Sequence, residues 1–488
     1  MITDSEGMRK VEKSSGLSTA RLMEKAGAAV FDALTKEMPP NTQALVLCGK
    51  GNNGGDGFVL ARLLAAAGYA VSVYACEGTP VSKEALAAYH KLPAGCLLKK
   101  QKIDAALESA DVIVDAVYGY GYHGALSKED TQLFAKVNAS GKDVFSIDIN
   151  SGCEADTGRY DRDAIRSRIT YAMDCWKPFH LLRKDHGMFE KTEVLSLDLP
   201  HADTRFHEMN EDLFFRNFPK KKEDAYKGTY GKTLLIGGCY GMAGAVCLNI
   251  LGAKTVGAPY INVALPEEIY APAAAHFITP VFHPFGHETM HEVVEPLISS
   301  AAAIGFGSGA VYMDHKEDCL DLILQTSRCP VVLDAEALRM LKQNTYILKF
   351  VKAPVILTPH IAEFADIVNQ PLEVVQDNKM EIVRKFAADY KVILVLKGPN
   401  TIVVSPSGDC YINQSGNQAL AQAGSGDVLT GIMSAMLSMT RDVFTAVIMA
   451  VWLHGYLADL GIETHSIQGF SLDAYPHLMD QLFRKHGL

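Results

Sequence analysis

Through the first half of the chain, short apolar, β-branched runs alternate with longer stretches of helical composition. Residues 44–48, 71–75, 112–117 and 144–149 are apolar but for Ser72, Asp115, Ser146 and Asp148, as strands buried on both faces nearly are. Stretches such as 58–67 lie between them, and the alternation predicts a parallel sheet covered by helices on both sides. Ahead of it, Leu22, Met23, Ala26, Val30 and Leu34 recur at helical spacing, so roughly the first forty residues read as one amphipathic helical segment.

From about residue 200 to 227 the pattern lapses into polar sequence, with Pro219 and the charge run Lys220-Lys221-Lys222-Glu223-Asp224. Such a run reads as a solvated linker, hence a domain boundary. Alternation then resumes, with strands expected at 232–236, 261–265, 302–306, 331–333, 355–357, 392–396 and 401–405, and a Gly/Ala-rich helix at 244–256. The fold class is α/β with two domains, the first a Rossmann-like three-layer parallel-sheet domain. The halves share an architecture and no sequence repeat.

A length of 488 residues agrees with two cores rather than one. The formal net charge of -10 argues against a nucleic-acid partner, because neutralising phosphates takes a basic face. Small anionic ligands remain open, since backbone amides at helix N-termini hold phosphates without Lys or Arg. Ten cysteines without a C-x-x-C pair indicate neither a zinc site nor a disulfide framework; Cys48 and Cys239, beside apolar strands, read as buried thiols. With no secretory pattern and no apolar run of membrane-spanning length, the expectation is a cytoplasmic protein with no membrane partner.

Two glycine-rich segments carry candidate chemistry. Gly49-Lys-Gly-Asn-Asn-Gly-Gly-Asp-Gly57 follows a strand and opens a helix. Its start satisfies the dinucleotide fingerprint G-x-G-x-x-G, and Glu77 lies near the end of the next strand. Gly119-Tyr-Gly-Tyr-His-Gly124 satisfies the same fingerprint, which shows how little it discriminates, and a plain NAD dehydrogenase stays open on that motif. Glycines let the backbone approach phosphate, and asparagines supply neutral carbonyl oxygens for a cation or a polar ligand. Asp56 would repel a phosphate, so it is expected to cap the helix or orient the loop. The second segment is Gly416-Asn-Gln-Ala-Leu-Ala-Gln-Ala-Gly-Ser-Gly-Asp427, leading into an apolar helix. Its amides would form an anion hole, and Asp427 would take a proton from an attacking hydroxyl. Gly231-Lys-Thr233 is no P-loop: Tyr226 stands where the first glycine is required, and Lys232 enters a strand.

Taken over longer stretches, two families are recognisable. The loop at 49–57, Asp115-Ala-Val-Tyr-Gly-Tyr-Gly121, Ser146-Ile-Asp-Ile-Asn-Ser-Gly152 and Ala155-Asp-Thr-Gly158 together resemble the NAD(P)H-hydrate epimerase domain, over about residues 1–215. Lys227-Gly-Thr-Tyr-Gly231, Gly237-Gly238 with Gly244-Ala245, Gly305-Phe-Gly-Ser-Gly309, Leu333-Asp-Ala-Glu-Ala-Leu338, Leu357-Thr-Pro-His-Ile-Ala-Glu-Phe364, Lys397-Gly398 with Thr401, and Gly424-Ser-Gly-Asp427 resemble the ribokinase-like NAD(P)H-hydrate dehydratase family, over about 220–488.

The first resemblance implies a potassium ion held by Asn53, Asp115 and Ser151, with Asp148 as acid/base. It also implies substrate contacts from Asn52, Asn53, Gly54, Gly55, Asp56, Gly119, Tyr120, Gly121, Tyr122, His123, Gly124, Ala125 and Asp148. The second implies a hydrate pocket at Ala245, Gly307 and His360, nucleotide contacts from Lys397, Gly398, Pro399, Asn400, Thr401 and Gly426, and Asp427 on the substrate hydroxyl. By resemblance the chain repairs hydrated NADH and NADPH: it epimerises the R- and S-hydrates, then dehydrates the S-hydrate using ADP or ATP with magnesium, through a phosphorylated hydroxyl. A homo-oligomer is implied as well. Asn150 replaces a Pro of the family pattern, the loop after Gly121 differs, Gln418 replaces a Pro, Ala362 and Ala423 replace glycines, and Glu336 replaces an Asp. Ala423 weighs most if its φ is positive. The alternatives are a ribokinase-superfamily small-molecule kinase, and a first half that binds without catalysing.

Overall fold

A computed structural model describes residues 1–182, 187–200, 204–221, 223 and 229–488. Lys222, Asp224, Tyr226, Lys227 and Gly228 of the segments above lie outside the described residues. The chain forms two compact units, 1–206 and 207–488.

The first unit is one parallel sheet of β1 (Gln43–Cys48), β2 (Ala70–Ala75), β3 (Val112–Ala116), β4 (Asp143–Ile147), β5 (Ser167–Met173) and β6 (Phe189–Leu195), ordered β2-β1-β3-β4-β5-β6. Strand β3 is buried throughout and β1 from its second residue, in keeping with their continuous apolar runs. Because β1 pairs β2 on one side and β3 on the other, the strand order turns there. In open parallel sheets ligands bind at that point, outside the carboxyl ends of the strands. The first forty residues form two helices rather than one, Ser5–Ser14 and Thr19–Glu37. Gly16 breaks them at φ +66°, and the Ser18 side chain caps the second.

The second unit holds a ten-stranded sheet: β7 (Phe206–His207), β8 (Thr233–Ile236), β9 (Ile261–Pro266), β10 (Val281–Phe285), β11 (Ala303–Phe306), β12 (Val331–Leu333), β13 (Val355–Leu357), β14 (Ile393–Leu396), β15 (Ile402–Val404) and β16 (Cys410–Ile412). The order is β10-β9-β8-β11-β12-β13-β14-β15-β16-β7, parallel from β10 through β14, with β15 and β16 antiparallel. This unit begins earlier than the expected 220. Helix Glu211–Asn217 lies within the stretch read as polar linker, yet its Phe214 and Phe215, with Phe218, are buried in the second unit's core. Helices Ala243–Thr255 and Ser425–Met439 approach backbone to backbone. A Cβ at Gly252 would fall 2.2 Å from the Val428 carbonyl oxygen, and one at Gly431 2.0 Å from that of Asn249. That crossing fixes the helix mouth carrying Asp427.

One expectation is corrected. Helix Val443–Gly461 is, at 19 residues, long and apolar enough to cross a membrane by length and composition. About two-thirds of it is buried inside the protein, where it forms part of the second core.

Candidate active sites

In the first unit the loops leaving β1, β3 and β4 surround a cavity of about 610 Å³. Gly49 brings two of them together, since a Cβ there would fall 2.1 Å from the Val117 carbonyl oxygen. Asn52, Asn53, Asp56, residues 119–123, Ala125 and Asp148 line the cavity. Gly54 and Gly55 instead serve packing, against the Gly49 carbonyl and the Met23 side chain respectively, and Gly124 turns its N–H to Glu154.

Asp148 follows β4 in the left-handed region, at φ +66°. Its Oδ1 accepts from Lys177 Nζ at 2.7 Å and its Oδ2 from the Tyr120 N–H at 2.9 Å. Lys177 is wholly buried and also donates to the Met173 carbonyl at 2.7 Å. His180 holds the backbone: its Nδ1 accepts from the Lys177 N–H at 2.9 Å, so Nε2 carries the proton donated to the Asp148 carbonyl at 2.7 Å. Burial, with Lys177 adding to it, pushes His180 down to about 4, so it stays neutral near pH 7. Sequence reasoning missed both residues because no strand was read at 167–173. The signal present was a lysine set among Cys175, Trp176, Pro178 and Phe179. Glu12, from the first helix, also lines the cavity and accepts from the Tyr120 hydroxyl at 3.0 Å.

Asp56 does not cap its helix. Gly51 is the N-cap of Asn52–Ala66, and Asp56 lies one turn in, half-buried, with its exposure toward the cavity it lines. Burial pushes its carboxyl well above the carboxylate range, with Asp148 and Glu12 adding to the effect.

Asp115, at the end of β3, is fully buried and meets only neutral donors: Ser146 Oγ at 2.9 Å, Ser151 N at 2.9 Å, Ser151 Oγ at 2.5 Å and Val117 N at 3.2 Å. Burial raises its carboxyl against those hydrogen bonds. The Asn53 side chain packs close to Gly119, and its buried Nδ2 has no partner. A buried acid without a cationic partner among the described residues and an orphaned amide, which can turn its oxygen inward, fit a monovalent cation. Asn150 is no loosened proline site: its Nδ2 donates to the Ile165 and Met188 carbonyls and to Ser167 Oγ at 2.9–3.0 Å, and its Oδ1 accepts from Thr170 at 2.6 Å.

In the second unit Gly424, at φ +89°, is the N-cap of Ser425–Met439 and sets Asp427 in the first turn. Ala423 is not among the positive-φ residues, so the strain feared there does not arise. Burial raises Asp427 to about 6, with Asp334 adding to the effect and Ser308 and Lys397 opposing it. Lys397 Nζ donates to Asp334 Oδ1 at 2.8 Å, and Asp334 also accepts from Thr358 at 2.8 Å and Thr430 at 3.0 Å. A Cβ at Gly426 would stand 3.3 Å from Lys397 Nζ, which places the turn against this cluster. Asn249 donates to Ser308 Oγ at 3.0 Å and to the Asp427 carbonyl at 2.7 Å. Sequence reasoning assigned no role to Asp334, Ser308 or Asn249.

Gly307 needs its φ of +117°, and a Cβ on Gly309 would come 2.6 Å from that of Ala245, so Ala245 meets this loop. His360 caps helix Ile361–Ile367: its Nδ1 accepts from the Glu363 N–H at 3.2 Å, while Glu363 Oε2 accepts from the His360 N–H at 2.8 Å. The Lys397 N–H bonds the Pro359 carbonyl at 2.8 Å, tying that cap to the lysine. Residues 397–401 form the turn between β14 and β15, closed by Thr401 Oγ1 to the Gly398 carbonyl at 3.0 Å. No cluster of three or more metal-binding side chains occurs among the described residues.

The family described as NAD(P)H-hydrate dehydratase matches residues 233–478, and that described as YjeF-related protein N-terminus matches 19–179. The chain is 31% identical over 485 residues to the bifunctional NAD(P)H-hydrate repair enzyme Nnr of Coxiella burnetii, covering 96% of each chain. Against the enzyme of that name from Moorella thermoacetica it is 29% identical, covering 94% of this chain and 92% of the relative. Among solved structures, the ADP/ATP-dependent NAD(P)H-hydrate dehydratase of Bacillus subtilis, co-crystallised with ATP and Mg2+, is 29% identical with a TM-score of 0.50, covering 57% of this chain and 97% of that one. A ribokinase-like superfamily protein of Enterococcus faecalis shares the fold at 21% identity and a TM-score of 0.52, covering 58% of this chain and 98% of that one.

Proposed function

The chain belongs to the family of bifunctional NAD(P)H-hydrate repair enzymes, and from that premise we propose that its two units carry consecutive steps, epimerisation of R- and S-hydrates in 1–206 and dehydration of the S-hydrate in 207–488. The observation that carries the reading is one chain holding both a cavity of about 610 Å³ lined by Asp148 and a glycine turn ending on Asp427.

In the first unit Asp148 is the acid/base at the hydroxyl-bearing carbon, and Lys177 and the Tyr120 N–H hold both its oxygens in place. Residues 52–53, 119–123 and Ala125 form the wall for the rest of the hydrate. A potassium ion would be held by Asn53, Asp115 and Ser151, where it would supply the charge that Asp115 lacks. In the second unit Asp427 takes the proton of the hydrate hydroxyl as its oxygen attacks phosphorus, and Gly426 and residues 397–401 hold the nucleotide. Ala245, Gly307 and His360 line the hydrate pocket. Magnesium would neutralise charge on the transferring group, held by nucleotide phosphates and one or two carboxylates, which needs no dedicated ligand cluster. ADP is the proposed donor. The reaction suits a reducing, cytoplasmic setting, as do ten cysteines that are all free thiols.

The test uses purified protein with magnesium, potassium and a mixture of R- and S-hydrates, adding ADP or ATP separately. Full recovery of reduced-nicotinamide absorbance, faster with ADP, is expected. Rapid recovery of the S fraction alone would refute epimerisation by the first unit. No recovery with either nucleotide would refute the dehydratase and favour a small-molecule kinase.

A further inference from the structure

Reopening and reclosing the hydrate ring takes two proton carriers. The base takes the proton from the hydroxyl, and an acid must protonate the ring nitrogen as its bond to carbon breaks. Asp148 fills only the first role, since Lys177 and the Tyr120 N–H already supply donors to both its oxygens.

Most of the cavity's other titratable groups are already engaged. The hydroxyls of Tyr118, Tyr120 and Tyr122 are donated to Asp130, Glu12 and Asp161 at 2.9, 3.0 and 2.7 Å. Glu12 is thereby engaged, Lys177 is bound to Asp148 and the Met173 carbonyl, and Lys50 pairs with Glu77 at 2.9 Å. His123 is exposed at the rim. Asp56 lines the interior and has no hydrogen-bond or ion-pair partner among the described residues.

We propose that Asp56 is a second catalytic residue of the epimerase site, the acid that protonates the ring nitrogen while Asp148 takes the hydroxyl proton. The inference rests on the epimerase reading of the first unit. Burial and the negative neighbours Asp148 and Glu12 raise the Asp56 carboxyl, which favours its protonated form and suits two acids in one cavity to opposite tasks. In the forward step the hydroxyl proton moves to Asp148 and the oxygen's electron pair becomes a carbonyl. The carbon–nitrogen bond breaks, and its pair on nitrogen takes the Asp56 proton. Rotation about the neighbouring carbon–carbon bond presents the other carbonyl face. Closure then reverses each transfer: nitrogen returns its proton to Asp56 and attacks the carbonyl carbon, and oxygen recovers the proton from Asp148. No oxidant or co-reactant enters, and both carboxyls end as they began.

The experiment measures R-to-S conversion by the full-length protein without nucleotide, for the wild type, Asp56→Asn and Asp56→Glu. Nucleotide-dependent consumption of S-hydrate and the unfolding midpoint of residues 1–206 are followed in parallel as checks that both units are folded. Asp56→Asn is expected to lower kcat about 100-fold or more while KM for the hydrate stays within about threefold, with partial recovery in Asp56→Glu. A heavy-oxygen label on the hydroxyl should survive the first turnover, because the carbon–oxygen bond never breaks. Unchanged kcat in Asp56→Asn, a loss confined to KM, or washout of the label would overturn the proposal while leaving the epimerase reading intact. A wild type that does not epimerise would overturn both.

Discussion

Asp148 and Asp427 are the acids proposed to carry the two reactions, and the chain surrounds them in opposite ways. Asp148 occupies a left-handed backbone position at the end of a parallel strand, in direct contact with a lysine that sees no solvent. Asp427 opens a helix, and the nearest lysine of its cluster, Lys397, is bonded to Asp334 instead. Without an ion-pair partner of its own among the described residues, Asp427 is pushed by burial up to about 6, close to working pH. Lys397, committed to Asp334, is the least of the effects on Asp427, and burial is the largest. The first arrangement suits a reversible proton shuttle held in fixed geometry, the second a base that must gain and lose one proton per turnover.

The widest test of this contrast is to cross the two lesions. Asp148→Asn should lower epimerisation about 1000-fold and leave nucleotide-driven consumption of S-hydrate unchanged, while Asp427→Asn should do the reverse. The comparison breaks if either variant damages both activities when they are measured separately. Next in size is Lys177→Met, which strands Asp148 in the core without its cation. A loss of about 3–5 kcal/mol is expected, read as a lower midpoint for unfolding of residues 1–206. Lys397→Met should cost less, because its side chain is 22% exposed against 0% for Lys177, and Thr358 and Thr430 remain bonded to Asp334. Asn150→Ala is the third of these. It leaves two buried carbonyls and two hydroxyls short of a partner, for about 2 kcal/mol in the same transition.

How far the sequence could be read follows the same division. Strands β1, β3 and β4 were legible because each is mostly apolar, and Asp115 and Asp148 could be placed at strand ends for that reason. Strands β5 and β6 were not: Ser167, Arg168 and Thr170 interrupt the first, and the second is a half-exposed edge carrying Glu190, Lys191 and Glu193. Lys177 and His180 follow β5, so the partners of Asp148 were lost with the strand. In the second unit the glycine turn was legible, whereas Asp334 was not singled out, because its partners Lys397, Thr358 and Thr430 come from three distant segments. The helix at 211–217 was hidden by the charged residues around its buried phenylalanines.

The pH dependence sharpens the comparison on the dehydratase side. In its proposed role Asp427 must be ionised to accept the hydroxyl proton, and its raised value of about 6 means that form is lost as pH falls through that point. The kcat/KM for S-hydrate should therefore drop about tenfold per pH unit below about 6. Asp334→Asn removes the negative neighbour that helps raise Asp427, so this limb should move to lower pH. A limb that stays in place would mean that Asp427 is not the group being titrated.

The smallest effect concerns Ala423, which stands where the family pattern has glycine. The left-handed residue of this turn is Gly424, at φ +89°, where a Cβ would come 2.3 Å from Leu248 Cδ1. Ala423 is exposed and is not among the positive-φ residues, so restoring glycine relieves no strain. Ala423→Gly should cost about 0.4–1 kcal/mol, through the freer unfolded chain, and leave dehydratase kcat within about twofold. If that change instead raised kcat tenfold, the turn would have to adopt a second backbone state during turnover, with Ala423 opposing it. The anion hole at Asp427 would then be one that forms with the nucleotide, and the rigid cradle would belong to Asp148 alone.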